Sequence, residues 1–196
     1  MAFGAQIAGR CAVPELPEGE RYVSASAGGM HTVCLTSSGR VVAFGDEEDD
    51  LCAVPELPEG ERYVTASAGA AHTVCLTSSG RAVAFGEQRQ GACAVPELRE
   101  GERYVSASAG RFHTVCVTSS GRVVAFGEEA DGRCAVPGLP EGERYVECAE
   151  APSSRRQRAW VQVCLVARRG GLPELEAVAA AMDRGLERAL WRFVEP

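Results

Sequence analysis

Between His31 and Thr36 the chain carries a contiguous apolar run, Val33-Cys34-Leu35, bounded by small polar residues. Such a run predicts a strand covered on both faces. Upstream, Arg21 to Ala27 predicts another strand, and its later residues Ser24, Ala25, Ser26 and Ala27 are all small. Ser37-Ser38-Gly39 predicts a tight turn, with glycine accepting a positive φ at little cost. Arg40 to Phe44 then predicts a third strand closed by Gly45. The polar stretch Asp46 to Leu51 reads as a loop. Cys52 to Leu57 reads as a short extended piece, which Pro55 and Pro58 demote to an edge strand. Three to four short strands result, with no helix among them.

This whole pattern repeats with a period of 41 residues. Cys11 to Val23 returns at Cys52, Cys93 and Cys134, and the segment around His31 returns around His72 and His113. The first two copies differ at only four of the 35 positions from Cys11 to Gly45, which marks a duplication. A period of this length predicts an array whose units cover their apolar sides by stacking on neighbours. Small residues in the first strand suit the inner strand of a propeller, where blades converge. The expected fold is therefore all-β: a partial β-propeller of about three to four blades. Repeats occupy 1–147, in units of about 5–45, 46–86, 87–127 and an incomplete 128–168. A divergent tail covers 148–196.

In the fourth unit Tyr145-Val146 is in register, but Glu147-Cys148-Ala149-Glu150 breaks the small-residue strand. Val163-Cys164-Leu165 arrives seven residues late, after Arg155-Arg156-Gln157-Arg158. One reading is a fourth blade with an inserted loop and no third strand of its own. Met1-Ala2-Phe3-Gly4 aligns with Val42 to Gly45 and would then supply that strand. The other reading is a piece or altered end of a longer propeller. Beyond Gly170-Gly171, Pro173 and the spacing of Leu175, Val178, Ala179, Met182, Leu186, Leu190 and Phe193 predict a helix over about 173–193, capping blade surface.

Composition narrows the chemistry. The net charge of −7 opposes binding to nucleic acid. No apolar stretch is long enough to span a membrane, and no secretory signal is recognisable, so a cytoplasmic or nuclear protein is expected. All 20 basic residues are arginine, which excludes a P-loop lysine and a Schiff-base lysine. Seven of the nine cysteines follow the repeat, which favours buried reduced thiols over a disulfide framework. His31 with Cys34, repeated at His72 with Cys75 and His113 with Cys116, invites a metal or nucleophile reading. On a strand, residues three apart point to opposite faces, so neither reading holds and structural histidines are expected. No metal, cofactor or catalytic residue is assigned.

Ala27-Gly28, His31-Thr32-Val33, Gly39 and Phe44-Gly45, followed by Cys52-Ala53-Val54-Pro55, resemble the regulator of chromosome condensation repeat family. The motif appears at Ala27 to Gly45, Ala68 to Gly86 and Ala109 to Gly127, and the resemblance covers about residues 1–147. It implies a propeller of four-stranded blades, usually seven. His31, His72, His113, Gly45, Gly86 and Gly127 are the structural signature. Phe44, Phe85 and Phe126 stand where the family typically has tryptophan, and Asp50 stands where Gly9, Gly91 and Gly132 keep the family's glycine. No long insertion interrupts a blade, unlike the wedge of the family's nucleotide-exchange members.

The expected function is a non-catalytic platform for another protein. The resemblance offers two alternatives: nucleotide exchange on a small GTPase, or a docking piece of a large propeller-containing ubiquitin ligase. Candidate contact residues are those that vary between near-identical copies: Gly29 and Met30, Ala70 and Ala71, Arg111 and Phe112, with the loops after Gly45, Gly86 and Gly127. The repeated turns carrying Glu18, Glu20, Glu59 and Glu61 are a candidate charged rim. Open ends of the arc are a candidate surface for self-association.

Overall fold

The computed structural model describes residues 9, 11–46, 48–129, 132–139 and 141, and the strands Glu143–Ala151, Val161–Arg168 and Glu176–Ala179. Three strands form per repeat. The first blade holds β1 (Tyr22–Ala27), β2 (His31–Thr36) and β3 (Val41–Gly45). The second holds β4 (Tyr63–Ala68), β5 (His72–Thr77) and β6 (Ala82–Gly86). The third holds β7 (Tyr104–Ala109), β8 (His113–Thr118) and β9 (Val123–Gly127), and the fourth β10 (Glu143–Ala151), β11 (Val161–Arg168) and β12 (Glu176–Ala179). Each is an antiparallel meander in sequence order. The expected all-β, partial propeller architecture is thus observed.

Register repeats as faithfully as sequence. Ala25 pairs with Cys34, Ala66 with Cys75 and Ala107 with Cys116. In every inner strand a register shift follows the tyrosine, between Tyr22 and Ser24, Tyr63 and Thr65, Tyr104 and Ser106, and Tyr145 and Glu147. The valine at each bulge is left out of the ladder, and Val23, Val64 and Val105 stand exposed.

Two expectations for the tail are corrected. Within the predicted helix over 173–193, the described segment Glu176–Ala179 is a strand, and the remainder lies outside the described residues. Glu176-Ala177-Val178-Ala179 alternates polar and small apolar residues, and β11 offers it a ladder. The third strand of the fourth blade is consequently β12, paired Cys164 to Val178 and Leu165 to Ala177 as Cys34 pairs with Val42 and Leu35 with Val41. Met1-Ala2-Phe3-Gly4, expected in that place, lies outside the described residues. A third correction concerns Cys52 to Leu57, where no strand forms. With Pro55 interrupting its donors, the segment is tied down by a side chain instead: the Tyr63 hydroxyl donates to the Pro55 carbonyl at 2.8 Å. Tyr22, Tyr104 and Tyr145 do the same with Pro14, Pro96 and Pro137.

The apolar core lies between blades. Val33, Leu35 and Val41 of the first blade pack with Tyr63, Ala68, Cys75 and Phe85 of the second. Leu76 packs with Tyr104, Cys116 and Phe126 of the third, and Val115 and Val117 with Tyr145 and Cys148 of the fourth. No blade covers itself, so each interface supplies the burial its neighbours need. Polar staples fix the stacking. The Ala68 amide donates to Ser26 Oγ and the Ala109 amide to Ser67 Oγ, both at 3.0 Å. The Tyr63 and Tyr104 amides donate across to the Gly39 and Gly80 carbonyls at 2.8 Å.

Candidate functional site

A three-stranded meander has two ends, and the repeats use them differently. At one end lie the β1–β2 connection and the loop leaving β3, because His31 pairs with Gly45, His72 with Gly86 and His113 with Gly127. At the other lie the β2–β3 hairpin turn and the turn entering β1. Most of the positions that vary between copies fall at the first end, with Ser24/Thr65, Val41/Ala82 and Pro58/Arg99 lying elsewhere.

There, the two variable segments of each blade are bonded to each other. The Asp46 amide donates to the Met30 carbonyl at 3.0 Å, Glu87 to Ala71 at 2.8 Å and Glu128 to Phe112 at 2.9 Å. Neighbouring blades are joined at the same level: the Gly29 amide donates to Gly69 O at 3.0 Å and Ala70 to Gly110 O at 3.2 Å. Backbone holds the rim together, which leaves side chains free to differ. Arg111 is exposed, and its guanidinium lies 4.8 Å from the Phe112 ring centroid, a cation–π contact. Gly29, Met30, Ala70 and Phe112 are half-buried, whereas Ala71 is buried and offers no surface. The loops beyond turn sharply. Asp50 adopts a φ of 57° where Gly91 and Gly132 have 75° and 71°, so this departure from glycine keeps the left-handed conformation. Arg133 forms an ion pair with Glu128 within the third loop.

The opposite end keeps one ion pair in each of the first three blades. The Arg40 guanidinium donates to Glu20 Oε2 at 2.5 Å, and Arg81 to Glu61 at 2.6 Å and Arg122 to Glu102 at 2.8 Å repeat the pair. The hydroxyls of Ser38, Ser79 and Ser120 donate to the same carboxylates. These arginine bonds, then the serine bonds, hold each carboxyl down to about 2. Glu20 and Glu61 therefore clamp the hairpin turn to the turn entering β1, while Glu18 and Glu59 are exposed. Sequence reading found the carboxylates but missed Arg40, Arg81 and the serines. The signal was present: both partners recur with the same period, on turns that the meander brings together.

Two of the signature histidines, His31 and His72, bridge blades. His31 Nε2 lies 2.6 Å from Thr73 Oγ1, and His72 Nε2 lies 2.9 Å from Thr114 Oγ1. Burial lowers His31, His72 and His113 to about 4, so the rings are neutral. Gly28 and Gly69 make the contact possible, since a Cβ on Gly69 would stand 2.2 Å from Gly110 O and 2.9 Å from His72 Cε1. Gly45, Gly86 and Gly127, at φ of 138°, 108° and 122°, end β3, β6 and β9 against the histidine backbone. Cys34, Cys75 and Cys116 are buried free thiols. Among the described residues no group of three or more metal-ligating side chains occurs. Nor, among them, is any helix long and apolar enough to cross a membrane.

Stacked three-stranded meanders, with periodic cores between them and distinct rims, define a propeller-type repeat protein. The family model described as "Regulator of chromosome condensation (RCC1) repeat" matches residues 104–133, the third blade. The other blades repeat the sequence of that matched segment, so the chain is similar to RCC-type repeat proteins. No curated protein matches it significantly by sequence. Its structure is similar to human WBSCR16, with a TM-score of 0.60 and 18% identity over 80% of this chain and 48% of that one. It is similar to Prp20p from Saccharomyces cerevisiae, with a TM-score of 0.56 and 18% identity over 80% of this chain and 47% of that one. In a complex of Kap60 with yeast RCC1 (Prp20), the corresponding values are 0.57, 18%, 83% and 45%. At these identities the likeness is one of fold, and the chain spans under half the length of these propellers.

Proposed function

We propose that the chain is a non-catalytic interaction platform, engaging another protein through the rim that carries Gly29 and Met30, Ala70, and Arg111 and Phe112. The observation that carries this reading is the segregation of variation. Most of the differences between the first two copies lie in two segments per blade, and those segments are hydrogen-bonded together at one end. Drift concentrated on one surface of a fixed frame is what a surface tuned to a partner requires. Arg111 on Phe112 supplies the residue types that anchor interfaces.

Prp20p is described with its binding to Gsp1p and histones, and yeast RCC1 as bound to Kap60. Those three proteins are the first probes. Purified chain should bind at least one, and the double variant Arg111→Glu, Phe112→Ala should weaken that binding at least tenfold. Glu59→Gln, on the opposite rim, should not. Binding indifferent to both changes, or no binding to any probe, defeats this reading. Acceleration of nucleotide release from Gsp1p would replace it with the exchange activity of a GTPase regulator.

A further inference from the structure

We propose that the histidine–threonine contacts are acid-sensitive latches between blades, in which a proton added at ring Nδ1 loosens one blade from the next. His31 reaches from the first blade to Thr73 of the second, and His72 from the second to Thr114 of the third. All four side chains are buried. At the second contact the direction of hydrogen bonding is fixed. The Thr114 hydroxyl donates to the Ala92 carbonyl at 2.9 Å, so its oxygen accepts and His72 donates from Nε2. The neutral ring then carries its lone pair on Nδ1.

That nitrogen is where a further proton must go. His31 Nδ1 and His113 Nδ1 are buried with no hydrogen-bond partner. Glycine backbone lies against this edge of the ring: a Cβ on Gly28 or Gly69 would stand 3.1 Å from Nδ1 of the same blade's histidine. A charged ring would thus hold a buried, unanswered N–H donor. Neighbouring charges act in the same direction. His72 is opposed by His113 and His31, and His113 by Arg133. Arg133 is itself paired with the Glu128 carboxylate.

The sign follows from linkage. Closed, the rings hold their values near 4, and a ring released by blade separation returns toward 6.5. Between those values the separated state binds the extra proton, so separation gains as pH falls from about 6.5 to 4 and is unaffected above that window. One released histidine multiplies the opening equilibrium by up to about tenfold per pH unit.

Two thiols report the two interfaces. Cys75 is sealed between the first and second blades, and Cys116 between the second and third. The full chain is labelled with a dipyridyl disulfide from pH 7 to 4.5, each cysteine is read by peptide mass, and each rate is divided by its rate in urea at the same pH. The normalised rates at both sites should be flat above pH 6.5 and rise about 10- to 100-fold by pH 4.5. His72→Gln should flatten the rise at Cys116 while Cys75 keeps the wild-type rise. An unchanged rise at Cys116 in that variant overturns the proposal. If the variant does not fold, ring titration by nuclear magnetic resonance in the unaltered chain decides. His31 and His72 titrating below about pH 5 support the latch, and either titrating near 6.5 removes it.

Discussion

Glycines in this chain do two physically different jobs, and substitution separates them. Gly69 has an ordinary backbone but no space, since an added Cβ would meet Gly110 O and the His72 ring. Gly60 has space but a φ of 82°, with nothing within 4 Å of an added Cβ. Gly69→Ala should therefore destabilise by about 3 kcal/mol or more, because a neighbouring blade's backbone must move. Gly60→Ala should cost only about 1–2 kcal/mol, from the left-handed conformation alone. Urea denaturation midpoints measure both, and equal losses would contradict the close approach. The sequence marked both glycines as periodic without distinguishing them, because the clash at Gly69 is made by Gly110, 41 residues away. Glu61 shows the same limit. Its repetition was legible, but its bonds to Arg81 and Ser79 depend on two turns meeting at one end of a sheet.

Strands are where local pattern and structure agree most closely. β2 spans His31–Thr36 as its apolar run predicts, and β3 begins one residue after the predicted Arg40 and ends on Gly45. Agreement fails in the proline segments, which pair with no strand, and in the tail, where Glu176–Ala179 joins a sheet instead of a helix. In both places the deciding fact is an available partner, which periodicity along the chain does not contain. The proline segments depend on one hydrogen bond per blade from a tyrosine. Tyr63 is buried, so Tyr63→Phe leaves the Pro55 carbonyl without its donor and should destabilise by about 1 kcal/mol. A thermal melt detects that change, and no shift would mean that packing alone holds the segment.

Across the molecule, stability is a sum of interfaces rather than of blades. Leu76, 2% exposed, closes the contact between the second and third blades. Leu76→Ala should remove about 2–5 kcal/mol from that one interface. Nearest-neighbour coupling then predicts where the loss appears. Hydrogen exchange should quicken at Ala109, whose amide is stapled to Ser67 across the weakened interface, while Ala68, stapled to Ser26, stays protected. Uniform loss of protection would show instead that the arc unfolds as one unit. The stacking itself was legible from the 41-residue period and from apolar strands that nothing within one copy could cover.

Each loop leaving β3, β6 and β9 is six residues long, begins after a glycine in the same conformation and returns to the same Cys-Ala-Val-Pro sequence. Asp46–Leu51, Glu87–Ala92 and Glu128–Arg133 thus share their length and their flanking sequence. Their last residues differ in burial, Leu51 and Ala92 being sealed and Arg133 half-buried, so a loop exchanged between blades carries part of the interblade packing with it.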